Sequence, residues 1–324
     1  MLLPTEDQDL LRAITREVLT EQAGSPRLRA LLDTPTGHDA DLWKQLAELG
    51  WPALALDAEL PDLAVVIEEC GRALMPSALT GTTATTWLLT RHEVALPGLA
   101  DGTAIVAWSI GTHNHVPDAG VATHFLVDVP GSDLAAIPAN APGLSIHEER
   151  TIDLTRRYHE LRIEHLPTAG LIPGATELFQ CGVVLQCAES IGVAARALDM
   201  TREHVGNRIQ FGRAIGSFQA VKHRIADLYI ALEGARVATR DAAEAVQRGR
   251  TDAAYAVHVA KSWTGRAASA ITSEAIQLHG GIGFTWEHDL HLLQRRAKAN
   301  ELLLGTPAWH DEQLTGLIEA QTWT

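Results

Sequence analysis

Residues 208–227 read Arg208-Ile-Gln-Phe-Gly212-Arg-Ala-Ile-Gly216-Ser-Phe-Gln219-Ala-Val-Lys-His223-Arg-Ile-Ala-Asp227, and about fifty residues later the chain reads Gln277-Leu-His-Gly280-Gly281-Ile-Gly-Phe284. The first stretch joins two long helical patterns through a short loop that holds an arginine, an aromatic ring and two glycines. Arginine supplies a planar fork for phosphate oxygens. The glycines let the backbone approach a ligand closely and expose its N–H groups. Ser217 is placed to cap the following helix, whose N-terminus favours negative charge. Taken singly, each feature is also what an ordinary turn between helices contains.

Working outward, the flanking segments are helical. Glu177–Val205 carries a long apolar face. Ser217–Arg248 follows, with Gly249 as its stop, then Thr251–His279 and Trp286–Leu304. Thr306-Pro307 opens a further helix with proline at its first position. Long helices joined by short loops predict an antiparallel four-helix bundle. Towards the N-terminus, residues 5–95 also read as helical: Leu10, Leu11, Ile14 and Val18 repeat at helical spacing behind a Thr5-Glu6-Asp7 cap. Further helices are predicted near Asp39–Leu49, Pro61–Leu74 and Ser77–His92. Between the helical blocks, residues 101–166 change character. Short β-type runs at Thr103–Ser109, Thr123–Val129, Leu144–Ile146 and Tyr158–Ile163 are punctuated by Gly, Pro, Asn and Asp. Helices, strands, then helices is not the alternating pattern of a doubly wound sheet. The expected fold is mainly α with a small β insert: a helical domain over 1–98, a truncated β domain over 99–170 and a helical bundle over 171–324.

Charge and composition narrow the function classes. With 26 Lys and Arg against 40 Asp and Glu, the net charge is −14, which disfavours non-specific nucleic-acid binding. An anionic ligand therefore needs a local basic patch. Cys70, Cys181 and Cys187 lack CxxC spacing and fit buried thiols in a reducing compartment. The first residues lack the basic and apolar regions of a signal peptide, and no run of about eighteen apolar residues is evident. The expectation is a cytoplasmic chain with no membrane span.

The string RIQFGRAIGSFQAVKHRIAD, the QLHGGIGF segment and Arg295-Arg-Ala-Lys298 resemble the acyl-CoA dehydrogenase family in content, order and separation. The resemblance covers the C-terminal 150 or so residues well and the N-terminal helices loosely. It implies a helical domain, a β domain and a C-terminal four-helix bundle, with FAD shared at a subunit interface. It further implies Arg208, Phe211, Gln219, Gln277, Gly280 and Gly281 as contacts to the ADP half of FAD. Acyl-CoA is the implied substrate, and electron-transfer flavoprotein or a similar acceptor the implied outlet.

The same resemblance marks what is missing. Members of the family abstract the substrate α-proton with a glutamate. Reading forward from Arg295–Lys298, the commoner base position falls on Leu304. Counting back from Arg208 and Gly192, the other falls on Gly182, and neither residue accepts a proton. Of the family's Trp-bearing strand over the flavin, Ala107-Trp108-Ser109-Ile110-Gly111 is the only trace, and the strands after it look deleted before Thr151–Arg157. Glu189 and Glu301 are the weak substitutes for the base. Glu189 reads better as an interhelical ion pair, and Glu301 as a partner of Arg295 or Lys298 at helical spacing.

Other constellations are weaker. His279, His288 and His291 cluster in sequence, the last two at i, i+3, but a metal site there is disfavoured against their place in the family segment. His113 and His115 read as solvated loop residues, and Phe218 as a core plug. An intact clamp beside empty base positions implies one subunit of an α2β2 heteromeric acyl-CoA dehydrogenase of the actinobacterial steroid side-chain type. A second acyl-CoA dehydrogenase subunit would then bring the base. The alternatives are a self-sufficient homotetramer with a displaced base, and a flavin-free structural subunit.

Overall fold

The computed structural model describes residues 3–111, 115–131 and 133–322; His113 lies outside them. The N-terminal block comprises α1 (Glu6–Gln22), α2 (Ser25–Leu31), α3 (Ala40–Glu48), α4 (Leu54–Asp57), α5 (Leu60–Arg72) and α6 (Leu79–Arg91). Thr5 caps α1 in a capping box with Gln8. Asp39 caps α3 through the Leu42 N–H and pairs with Arg27. The buried face of α1 is rotated from the expected one. Gln8, Thr15 and Leu19 point inward, whereas Leu10 and Ile14 are 60% and 51% exposed. The polar inward residue is tolerated because Gln8 donates to Asp62.

The β region is richer than the sequence suggests. It holds β1 (Val106–Ser109), β2 (His115–Pro117), β3 (His124–Val129), β4 (Asp133–Pro138), β5 (Leu144–Glu149), β6 (Tyr158–Ile163) and β7 (Ile172–Pro173). One sheet has the order β1-β3-β4-β7, parallel only between β1 and β3; the other is antiparallel, β2-β6-β5. β4 occupies part of the stretch that reads as deleted, and His115 lies in β2 rather than in a loop, paired with Glu149. The period of two decides what β1 contributes. Ala107 joins the core between the sheets with Phe125, Val127 and Ile137, while Val106 and Trp108 face the helices.

The C-terminal block comprises α7 (Ala175–Asn207), the hairpin strands β8 (Ile209–Gln210) and β9 (Arg213–Ala214), α8 (Gln219–Gln247), α9 (Ala253–His279), α10 (Leu290–Leu302) and α11 (Pro307–Thr322). Ser217 is not the cap of α8. It lies in a 3₁₀ turn, Phe218 holds the cap position, and no side chain caps the helix. α10 is shorter than predicted at both ends. Residues 280–284 form a 3₁₀ turn, and Leu304 with φ +60° and Gly305 with φ +101° leave the right-handed helix. His288 therefore precedes α10 and does not share a helical face with His291.

α7 holds an eighteen-residue window apolar enough in composition to cross a membrane, and 89% of that window is buried inside the protein. Its neighbours are α5, α8 and α9, and its contact with α5 is backbone to backbone. A Cβ on Gly192 would lie 1.8 Å from the Glu68 carbonyl oxygen, and one on Gly71 would lie 2.1 Å from that of Glu189. Two facing glycines thus set the distance between the N-terminal block and the bundle. Cys70, Cys181 and Cys187 are free and buried, and burial pushes each thiol's pKa up.

Candidate functional site

The segment 208–217 forms a tight hairpin between α7 and α8. Ile209 pairs with Ala214 and Gln210 with Arg213, which leaves Phe211 and Gly212 as a two-residue turn. Both have positive φ, +54° and +77°, the signature of a type I′ turn. Glycine accommodates this freely, whereas a bulky aromatic residue there stores strain. Phe211 also stands 92% exposed, its ring meeting Phe218 edge-on at 6.2 Å. Phe218 is half-buried beneath the hairpin, with the Arg213 guanidinium 4.0 Å above its ring, so it supports the loop rather than plugging the core.

The second arm ends α9. Gly280 has φ +65°, and a Cβ built on it or on Gly281 would meet nothing within 4 Å. The arms lie side by side: His204, four residues before Arg208, stacks on His279, which adjoins Gly280, with ring centroids 4.2 Å apart. Arg208, Phe211, Gln219, Gln277, Gly280 and Gly281 are all exposed. An outward arginine, a strained aromatic tip and an open glycine turn on one end of the bundle suit a phosphate-bearing ligand approaching from outside the chain.

The two expected base positions also meet, in a different place. Gly182 and Leu304 line one cavity of about 50 Å³ with Val106, Trp108, Arg156 and Glu189. Trp108 closes it: a Cβ on Gly182 would lie 2.2 Å from Trp108 Cζ2. Ligand pockets for molecules of cofactor size run to roughly 300–1,000 Å³. A cavity of this size does not admit a flavin ring or an acyl chain.

Neither substitute carboxylate is a free base. Glu189 borders the cavity, but its Oε1 accepts from Arg156 and from Arg296, each at 2.5 Å. Arg296 also donates to Asp153 at 2.6 Å and Thr155 at 2.5 Å, so the group is a buried ionic network. Burial opposes ionisation of Glu189, yet the two guanidinium groups outweigh it and hold the carboxyl below its ordinary range. Glu301 is turned to α9, accepting from Ser269 and Lys298, and does not line the cavity. Sequence reasoning did not connect Trp108 with Gly182. The only signal available was a tryptophan on an alternating strand and a glycine in an otherwise apolar helix. Among the described residues, no group of three or more His, Cys, Asp or Glu side chains could hold a metal ion.

Residues 173–315 match the family described as "Acyl-CoA dehydrogenase, C-terminal domain". Over 99% of its length the chain is 35% identical to acyl-CoA dehydrogenase IpdE2 of Mycobacterium tuberculosis, of which it covers 99%. It is 30% identical to acyl-CoA dehydrogenase FadE34 of the same organism over 98% of this chain and 48% of that protein. The solved structure of the Tcur3481-Tcur3483 steroid ACAD G363A variant superposes with a TM-score of 0.90 at 28% identity, covering 98% of this chain and 99% of that one. The chain belongs to the acyl-CoA dehydrogenase family, whose members are FAD-binding oxidoreductases.

Proposed function

We propose that this chain is one subunit of a heteromeric, FAD-dependent acyl-CoA dehydrogenase, assembled as α2β2 in the cytoplasm. Arg208, Phe211, Gln219, Gln277, Gly280 and Gly281 hold the ADP half of a flavin whose ring sits on the partner. The partner supplies the glutamate base, a complete β domain and the acyl-CoA pocket, and passes electrons to electron-transfer flavoprotein or a similar acceptor. Bound FAD would accept the hydride from the substrate β-carbon; this chain's own residues anchor phosphate and fix the interface.

The observation that carries the reading is the cavity where Gly182 and Leu304 meet, closed by Trp108. A chain with an exposed clamp and a closed cleft that has no glutamate at either expected base position is half of a site. Two likenesses support it: the similarity to a two-component steroid ACAD, and the match to 48% of a relative long enough to hold a second such unit. The former also favours a steroid side-chain CoA as substrate. The homotetramer with a displaced base is disfavoured by the pairing of Glu189 and Glu301.

The test is to purify the chain alone and with its partner, count FAD per subunit and assay acyl-CoA oxidation. The expected result is flavin and activity only in the complex. Full flavin and activity in the isolated chain would overturn the proposal, and a flavin-free complex would reduce this chain to a scaffold.

A further inference from the structure

The two arms of the clamp are joined by histidine rings. His204 lies in the last turn of α7, His279 ends α9, and His288 lies in the turn before α10. The His204 and His279 rings stack with centroids 4.2 Å apart and planes 23° apart, and His288 meets His279 edge-on at 4.9 Å. His279 Nδ1 donates to the Ala275 carbonyl at 2.8 Å, which leaves its Nε2 as a bare lone pair. His288 Nδ1 accepts from the Leu290 N–H at 3.3 Å. His204 Nε2 is buried without a hydrogen-bond partner.

The surroundings do not compensate a proton on these rings. Arg208 faces His204, and Arg29 from α2 and His291 from α10 face His288. Arg295 of α10 stands behind His291. The carboxylate at hand, Asp289, is bonded to Arg29 at 2.6 Å. Neutral rings attract at this spacing, whereas charged ones repel.

We propose that the His204–His279–His288 stack is a latch that positions the two clamp arms for the cofactor's phosphates, closed while the rings are neutral and released when they are protonated. The inference rests on the clamp reading above and assigns these histidines a positioning role, not a catalytic one. Burial first, then His204 and His288, hold His279 down to about 4; burial also lowers His204 and His288. The closed stack is thus fully stabilising above the ordinary histidine value of 6.5 and loses that stability as pH falls towards about 4. For His279 alone the ceiling at pH 5 is about 30-fold on the closing equilibrium.

The experiment uses the flavin-loaded complex recovered through a tag on this chain, with FAD release followed by flavin fluorescence at about pH 7.5 and pH 5. Wild type should bind FAD roughly ten-fold more weakly at the lower pH. His279→Phe keeps a neutral ring, so it should retain FAD at both pH values and flatten the dependence, whereas His279→Ala should weaken binding at both. A His279→Phe complex with the wild-type pH dependence overturns the latch. If that variant does not assemble, His204→Phe at the half-exposed end of the stack gives the same reading. Arg208→Ala separates the two ideas. Unchanged FAD retention in that variant sinks the clamp itself, while weakened retention alongside an unflattened His279→Phe profile sinks only the latch.

Discussion

Leu304 has a backbone conformation that a leucine side chain does not favour. A φ of +60° is uncommon for a branched residue and costs on the order of 1–3 kcal/mol unless the surroundings impose it. It falls where the family resemblance places the base, at a position that carries no carboxylate. Restoring the carboxylate is not expected to restore chemistry. Leu304→Glu should leave the acyl-CoA oxidation rate of the flavin-loaded complex no higher than wild type in a dye-reduction assay, because Trp108 still fills the cleft beside Gly182. A gain in turnover in that variant would mean that the cleft opens. Glu189 is the opposite case, a carboxylate present but committed. Glu189→Ala leaves Arg156 and Arg296 buried without this partner and should cost about 3–5 kcal/mol in denaturant unfolding. Since the Glu189 pKa is depressed, its contribution is present above the ordinary carboxylate value of 4.5 and fades as pH drops through and below it.

At the scale of elements, boundaries with a local chemical cause were legible and those set by packing were not. Thr5, Asp39, Gly249 and Thr306-Pro307 announce their helix ends through caps or turn geometry, and the structure uses each of them. The short α2 and α4 and strands β2 and β7 have too few residues to show a period. On α1 the apolar period is only half used: Leu11 and Val18 pack against the core while Leu10 and Ile14 face out, because α5 offers Asp62 and Glu69 to Gln8, Arg12 and Arg16. The contact of α5 with α7 gives a sharp test. Gly192→Ala puts a methyl carbon 1.8 Å from the Glu68 carbonyl oxygen, and the helices must separate to admit it. A loss of about 3 kcal/mol or failure to fold is expected, and unchanged thermal unfolding would show that the helices are not in backbone contact.

Among the described residues, exposed apolar side chains gather at two places that bear on assembly. One is the clamp end, with Phe211 92% and Phe284 73% exposed. The other is a face of α8 and α9, where Ile230 and Val237 lie two turns apart on either side of Gly234, and Trp263 packs on that glycine. Large apolar side chains exposed together on one helix face are what an interface covers. Within the proposed heteromer we expect the partner subunit to cover it. Ile230→Asp should lower the mass of the assembly by light scattering while leaving the unfolding midpoint of the isolated chain nearly unchanged. An assembly of unaltered mass would place the interface elsewhere.

The sequence by itself determined the order of helices, strands and helices and put Glu301 within helical reach of Arg295 and Lys298, because period, caps and spacing along one chain are local properties; the clamp and the empty base positions rest on the family resemblance. Only the tertiary structure decided that Gly182 and Leu304 share one cavity, that Trp108 fills it, that Glu189 is tied to Arg156 and Arg296, and that the His204 and His279 rings stack. Each of these joins residues distant in sequence, whose meeting depends on how a strand's alternation and a helix's rotation are fixed by everything packed around them.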